Sequence, residues 1–173
     1  GNGVLRLIEL SVPGGTGNPL YEKCLSIFKD NYFANRRNRT KPFDGIPEML
    51  RGLKKLSVPT GVVSNKFDSA VKQLCAEYFG DLIDVAIGES PQVRRKPAPD
   101  CLEEAMRIIG VNPHECLYVG DSDTDIFTAR NAGVDCASVL WGYRDEMILR
   151  SAGANKIISS PEQILKLVFG SAI

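Results

Sequence analysis

The sequence has a single histidine, His114, among 173 residues, and this scarcity excludes two kinds of site. A multi-histidine zinc site or a Ser-His-Asp triad would have to be built around that one residue. His114 lies in the segment VNPHE, whose composition predicts an exposed turn between two elements. We therefore exclude both of these chemistries.

The sequence also lacks an excess of either charge, since Lys plus Arg and Asp plus Glu both number 21. This balance argues against nucleic acid or an anionic membrane surface as a partner. No apolar run approaches the roughly 20 residues that span a bilayer, and the start, GNGVLRLIEL, does not resemble a secretion signal. Five cysteines without a Cys-x-x-Cys pair predict buried thiols in a reducing cytoplasm.

Apolar runs and helical spacings alternate along the chain from residue 60 onward, which predicts an α/β fold. The expected architecture is a Rossmann-like parallel sheet with helices on both faces, and the continuously apolar strands are expected to be buried on both faces. Residues 1–40 do not follow this alternation, and we expect them to form a separate helical piece. The predicted strands are 60–64, 82–88, 116–120, 136–140 and 156–159.

Polar residues follow three successive predicted strands, at the sheet edge where such folds bind ligands. Ser64 and Asn65 follow the first strand, and Lys96 lies in a basic loop after the second. Asp121 and Asp125 follow the third. Together these residues offer a hydroxyl, an amide, an ammonium group and two carboxylates. Such groups suit the binding of a phosphate and a divalent metal at one edge of the sheet.

Asp121 and Asp125 are four residues apart, so both carboxylates can converge on one point. Mg²⁺ favours such sites, completed by water and substrate phosphate. An aspartate here could instead cap the following helix, and Asp123 is expected to do only that. Ser64 and Asn65 could bind phosphate or cap a helix, and Lys96 could be a solvated lysine or a fixed cation beside phosphate.

These three segments resemble motifs of the haloacid dehalogenase superfamily of phosphatases, in its phosphoglycolate phosphatase-like branch. GVVSNK is similar to the second motif, RRKPAPD to the third and VGDSDTDIFTARNAG to the fourth. The resemblance implies a partial helical cap over 1–40 and a core over 41–173, and it implies Mg²⁺-dependent hydrolysis of a small phosphorylated metabolite such as phosphoglycolate. The resemblance also implies that Ser64, Asn65 and Lys96 bind the substrate and that Lys96 is catalytic. It implies that Asp121 and Asp125 bind Mg²⁺.

The first motif of the superfamily, Asp-x-Asp-Gly on the central strand, has no counterpart here, because Asp-x-Asp occurs only within residues 121–125. We therefore expect this chain alone to be inactive, either as a fragment of a longer protein or through natural loss. The intact protein would use an aspartyl-phosphate on the missing residue. A non-catalytic phosphate-binding, metal-binding or assembly module is the alternative, whereas the acid pair argues against a dehalogenase.

The core is then expected to lack its first strand, which leaves backbone groups of the sheet unpaired. We expect another segment or another chain, such as a second copy in a homo-oligomer, to fill that gap. Residues 4–10, VLRLIEL, are one candidate, since their apolar residues suit a strand or a helix. We also expect Lys96→Ala to weaken phosphate binding more than it changes folding.

Overall fold

A computed structural model describes residues 3–35 and 38–170 of the chain. It divides the protein into two compact units, one ending at Lys41 and the other running from Pro42 onward. No helix in the described part of the chain is both long and apolar enough to cross a membrane.

The first unit contains two helices, α1 (Gly3–Ser11) and α2 (Tyr21–Asn35). Ile8 of α1 packs with Tyr21 and Leu25 of α2 in a small apolar cluster. Residues 4–10 therefore form a helix, and the suggestion that they supply a strand is wrong. Ile8 is buried against α2, a contact that a strand in the sheet of the second unit would abandon.

The second unit alternates strands with helices, as predicted, although the exact bounds shift by a few residues. The sequence patterns missed a six-residue helix that begins at Glu146, where the side chain of Asp145 accepts a hydrogen bond from the Ile148 amide. The elements are α3 (Ile46–Lys55), β1 (Gly61–Phe67), α4 (Asp68–Phe79), β2 (Val85–Glu89), α5 (Asp100–Ile109), β3 (Leu117–Gly120), α6 (Asp123–Asn131), β4 (Asp135–Val139), α7 (Glu146–Ser151), β5 (Lys156–Ile158) and α8 (Glu162–Phe169).

All the strand pairs are parallel, as expected for this fold class, but the strands form two separate sheets. One sheet pairs β1 with β2, and the other has the order β3-β4-β5. Val63 of β1 packs against the apolar cluster that contains Tyr118 of β3, so β1 and β3 are the neighbouring edges. Within residues 3–35 and 38–170, no strand pairs with both of these edges.

Helices pack on both faces of the three-stranded sheet. Ala137 and Val139 of β4 face a cluster built by α3 and α8, whereas Cys136 packs on the opposite side, toward α5 and α6. β4 is thus largely buried, but β1 has no fully buried residue, and Val119 of β3 is 37% exposed. The prediction that every strand is buried on both faces is wrong for these two, because their facing edges lack a neighbouring strand.

Candidate active site

A lysine and an aspartate meet between the two sheets. Lys96 Nζ, from the loop after β2, lies 2.7 Å from Asp125 Oδ1 on α6. The same ammonium lies 3.1 Å from the hydroxyl of Tyr118 in β3 and 3.5 Å from the carbonyl oxygen of Val63 in β1. Only 13% of the Lys96 side chain and 7% of the Asp125 side chain are exposed. One desolvated cation therefore links the polar ends of both sheets.

Asp125 is held as a carboxylate by the groups around it. Its Oδ1 accepts from Lys96 and from the hydroxyl of Tyr118 at 3.0 Å, while its Oδ2 accepts from the hydroxyl of Ser122 at 2.6 Å and the amide of Asp121 at 3.2 Å. Burial by itself raises the pKa of Asp125, but the charge of Lys96 and the three side-chain hydrogen bonds outweigh it and hold the pKa below its usual range.

Tyr118 is a site residue that sequence reasoning missed. Its hydroxyl accepts a hydrogen bond from Lys96 and donates one to Asp125, and the residue is only 7% exposed. Burial, followed by the negative charge of Asp125, raises the pKa of Tyr118 well above its ordinary value. The available signal was a tyrosine within the apolar strand CLYVG, since a buried phenol requires a hydrogen-bonding partner.

Asp121 and Asp123 occupy more open positions than Asp125. Asp121 is half-buried, and its Oδ2 accepts a hydrogen bond from the Tyr143 amide at 2.9 Å. Asp123 begins α6, where a carboxylate complements the helix dipole, and it forms an ion pair with Arg144 at 3.3 Å. Asp121, Asp123 and Asp125 therefore have three different sets of partners.

Asn65 and Ser64 are placed differently from one another. The Asn65 side chain accepts from the backbone N–H of Lys96 at 2.8 Å and donates to the Lys96 carbonyl at 3.1 Å. Asn65 thereby fixes the backbone that carries the ammonium group. The Ser64 hydroxyl accepts from the amide of Lys66 at 3.1 Å, and the described residues include no hydrogen bond from Ser64 to the Lys96 side chain.

The arrangement can be compared with the needs of Mg²⁺. No group of three or more His, Cys, Asp or Glu side chains in the described ranges could hold a metal ion. Mg²⁺ often takes only one or two carboxylates and completes its shell with water and phosphate oxygens, so Asp121 and Asp125 fit a site of that kind. Gly142 leaves room for the Asp121 carboxylate, because a Cβ on Gly142 would overlap that side chain. Both Asp125 oxygens already accept hydrogen bonds, which makes Asp121 the better candidate for direct contact.

Comparisons with known proteins agree with this fold. A family model described as haloacid dehalogenase-like hydrolase matches residues 16–139. The phosphoglycolate phosphatase of Aquifex aeolicus (strain VF5) is 31% identical over 97% of this chain and 76% of its own length. That of Pseudomonas putida (strain KT2440) is 32% identical over 83% of this chain, which spans only 54% of that relative.

A solved structure from Lactobacillus delbrueckii subsp. bulgaricus, provisionally assigned as a phosphoglycolate phosphatase, superposes with a TM-score of 0.89 at 32% identity. The alignment covers 98% of this chain and 80% of that one. The chain belongs to the haloacid dehalogenase-like hydrolase family. The resemblance found in the sequence, the phosphoglycolate phosphatase-like branch and the α/β fold class are thereby confirmed.

Proposed function

We propose that the whole protein is a phosphatase that hydrolyses a small phosphorylated metabolite such as phosphoglycolate, and that this chain supplies its phosphate-binding and metal-binding edge. The observation that carries the proposal is the buried contact of 2.7 Å between Lys96 and Asp125 at the carboxyl ends of the strands. A fixed, desolvated cation at this edge is suited to offset negative charge on a phosphoryl group. The names of the relatives support the substrate class.

Each site residue has a distinct role in this proposal. Lys96 binds the phosphoryl group, Asn65 holds the Lys96 backbone, and the hydroxyl of Ser64 donates to a phosphate oxygen. Asp121 would hold Mg²⁺ directly, with Asp125 beside it keeping both the ammonium group and the acidic loop in place. When bound, Mg²⁺ supplies neutralisation of charge on the phosphoryl oxygens.

We propose that the nucleophile comes from outside these 173 residues, because no Asp-x-Asp-Gly motif occurs among them. We propose that a parallel strand from elsewhere in the same protein inserts between β1 and β3 and carries that aspartate. The exposure of Val119 and of β1 supports this position. A second copy of the chain is the alternative occupant. The other expected properties are a cytoplasmic location, which five free cysteines suit, and no nucleic acid or membrane partner.

The experiment is a phosphatase assay of two proteins, this chain and the chain extended by the residues that precede Gly1 in its gene. With phosphoglycolate and Mg²⁺, we expect turnover by the extended protein only, and loss of most of it in Asp121→Asn. Vigorous hydrolysis by the 173-residue chain would overturn the assignment of the nucleophile. An extended protein that carries the motif but hydrolyses no phosphate ester would overturn the phosphatase proposal itself.

A non-catalytic phosphate-binding or assembly module is the second candidate. The observation that favours it is that Lys96 Nζ already has three acceptors within 3.5 Å, as many as an ammonium group has protons. Isothermal titration with phosphate and vanadate distinguishes the two candidates. Binding of phosphate by the extended protein without any turnover would favour the module.

A further inference from the structure

The loop between β4 and α7 contacts two of the three acids that follow β3. The backbone N–H of Tyr143 donates to Asp121 Oδ2 at 2.9 Å, and Arg144 Nε lies 3.3 Å from Asp123 Oδ1. Two consecutive residues of this loop thus contact Asp121, which precedes α6, and Asp123, which begins it. The Arg144–Asp123 pair is about 40% exposed on both sides, so solvent screens it and it contributes little by itself.

Gly142 gives the clearest sign that this loop is shaped around Asp121. A Cβ built on Gly142 would lie 2.7 Å from the Asp121 Cγ and would overlap the Cβ and Oδ2 of the same side chain. Its three nearest atoms therefore all belong to Asp121. Gly142 is absent from the glycines with positive φ, so its backbone conformation alone does not require a glycine.

Both ends of this loop are fixed. The amide of Leu140 donates to the carbonyl of Ile158 at 3.0 Å, which extends the pairing of β4 with β5. At the other end, Asp145 caps α7 through the amide of Ile148. The amide of Tyr143 is thus presented from an anchored backbone, and it can orient one oxygen of Asp121.

We propose that residues 142–144, here called the clamp, are a positioning element for Asp121. Gly142 makes room for the carboxylate, Tyr143 orients Oδ2 through its backbone N–H, and Arg144 pairs with Asp123 two residues further along the chain. The consequence for metal binding rests on the proposed function, because it assumes that Asp121 holds Mg²⁺. The clamp itself rests only on the contacts described above.

A double-mutant cycle on the purified chain tests the clamp without any assay of activity. We expect Gly142→Ala to lower the midpoint of urea unfolding, and we expect the same change to have little effect in an Asp121→Gly background, where the overlapping side chain is gone. Gly17→Ala is the matched control, since a Cβ there meets no atom within 4 Å. Equal destabilisation in both backgrounds would overturn the proposal. If Gly142→Ala does not fold, recovery in the double variant supports the clamp and failure of both refutes it.

The second readout is the affinity for Mg²⁺, measured by titration calorimetry on the extended protein. We expect Gly142→Ala to weaken binding by about tenfold, as the loss of outer-shell support of a metal ligand commonly does. Gly17→Ala should bind as wild type does. An unchanged affinity in Gly142→Ala would overturn the role of the clamp. If wild type binds no Mg²⁺, the metal part of the proposed function fails, and the stability cycle alone decides the clamp.

Discussion

Lys96 Nζ and Asp125 Oδ1 lie 2.7 Å apart, although Lys96 follows β2 of one sheet and Asp125 lies beyond β3 of the other. Both side chains are almost completely buried, so each charge depends on its partner for compensation. The pair therefore serves the fold of the core as well as any ligand. This double role determines what substitutions at either position should do.

We predict that Lys96→Ala both abolishes phosphate binding and destabilises the chain, by roughly 3–5 kcal/mol, because it leaves the Asp125 carboxylate buried and unpaired. From the sequence we expected binding to suffer more than folding, and the buried contact with Asp125 is the reason to expect a loss of stability as well. Urea unfolding at pH 7 and phosphate titration measure the two effects.

Lys66→Ala is the matched control for that prediction. Lys66 lies near the end of β1 and is exposed, so its loss should change the free energy of unfolding by less than about 0.5 kcal/mol. Similar stabilities of Lys96→Ala and Lys66→Ala would show that the buried pair does not support the fold.

We predict that substitution by asparagine lowers the stability of the chain much more at Asp125 than at Asp121. Asp125→Asn should destabilise the chain by about 3 kcal/mol, since an amide cannot compensate the buried charge of Lys96. Asp121→Asn should cost less than about 1 kcal/mol, because its carbonyl oxygen can still accept from the Tyr143 amide. Thermal unfolding of both variants measures the difference, and equal losses would contradict it.

The sequence predicts the parts of this protein that depend on periodic apolar patterns. The strand predicted over 116–120 is observed at Leu117–Gly120, because a short run of apolar residues is a local signal for a buried strand. The prediction that Ser64 and Asn65 follow the first strand is wrong, because β1 extends to Phe67 and includes both residues. The short α7 was missed because six residues give too few turns for a helical period to be recognised.

The contacts between distant segments could not be predicted in the same way. The hydrogen bonds of Asn65 to the Lys96 backbone join residues 31 positions apart, and no local pattern specifies them. In the sequence Gly142 cannot be told from any other loop glycine, and only the structure shows that it packs against Asp121. The roles of Ser64, Asn65, Lys96, Asp121 and Asp125 therefore stay predictions, and the contacts among them became evident only from the structure.

We predict a pH-dependent contribution from Asp68, outside the site. Its carboxylate accepts from the Gly88 amide at 3.0 Å and from Lys72 at 2.6 Å. Burial raises the pKa of Asp68, but these partners outweigh burial and the pKa lies below its usual value. The pKa of Asp68 is lower in the folded state than in the unfolded state, where it is about 3.9. The stabilisation is therefore present above the unfolded-state pKa and is lost as the pH falls through the folded-state pKa.

Asp68→Asn should therefore be less stable than wild type by about 1 kcal/mol at pH 7, and the difference should shrink as the pH falls below about 4. Urea unfolding at a series of pH values from 7 to 3 measures it. Lys72→Gln removes one partner and keeps the Gly88 amide, so it should show a smaller difference at pH 7. A difference between Asp68→Asn and wild type that is independent of pH would contradict the prediction.

The last prediction concerns the facing edges of β1 and β3. Among the described residues no strand is placed between β1 and β3, whereas β4 pairs with a strand on both sides. In hydrogen exchange, we expect amides of β1 and β3 to exchange faster than those of β4 in the 173-residue chain. Extension of the chain by its upstream residues should slow exchange in β1 and β3 and leave β4 nearly unchanged. If concentrating the chain alone slows exchange at the same amides, the partner is a second copy, and if neither condition slows it, no strand is added between the two sheets.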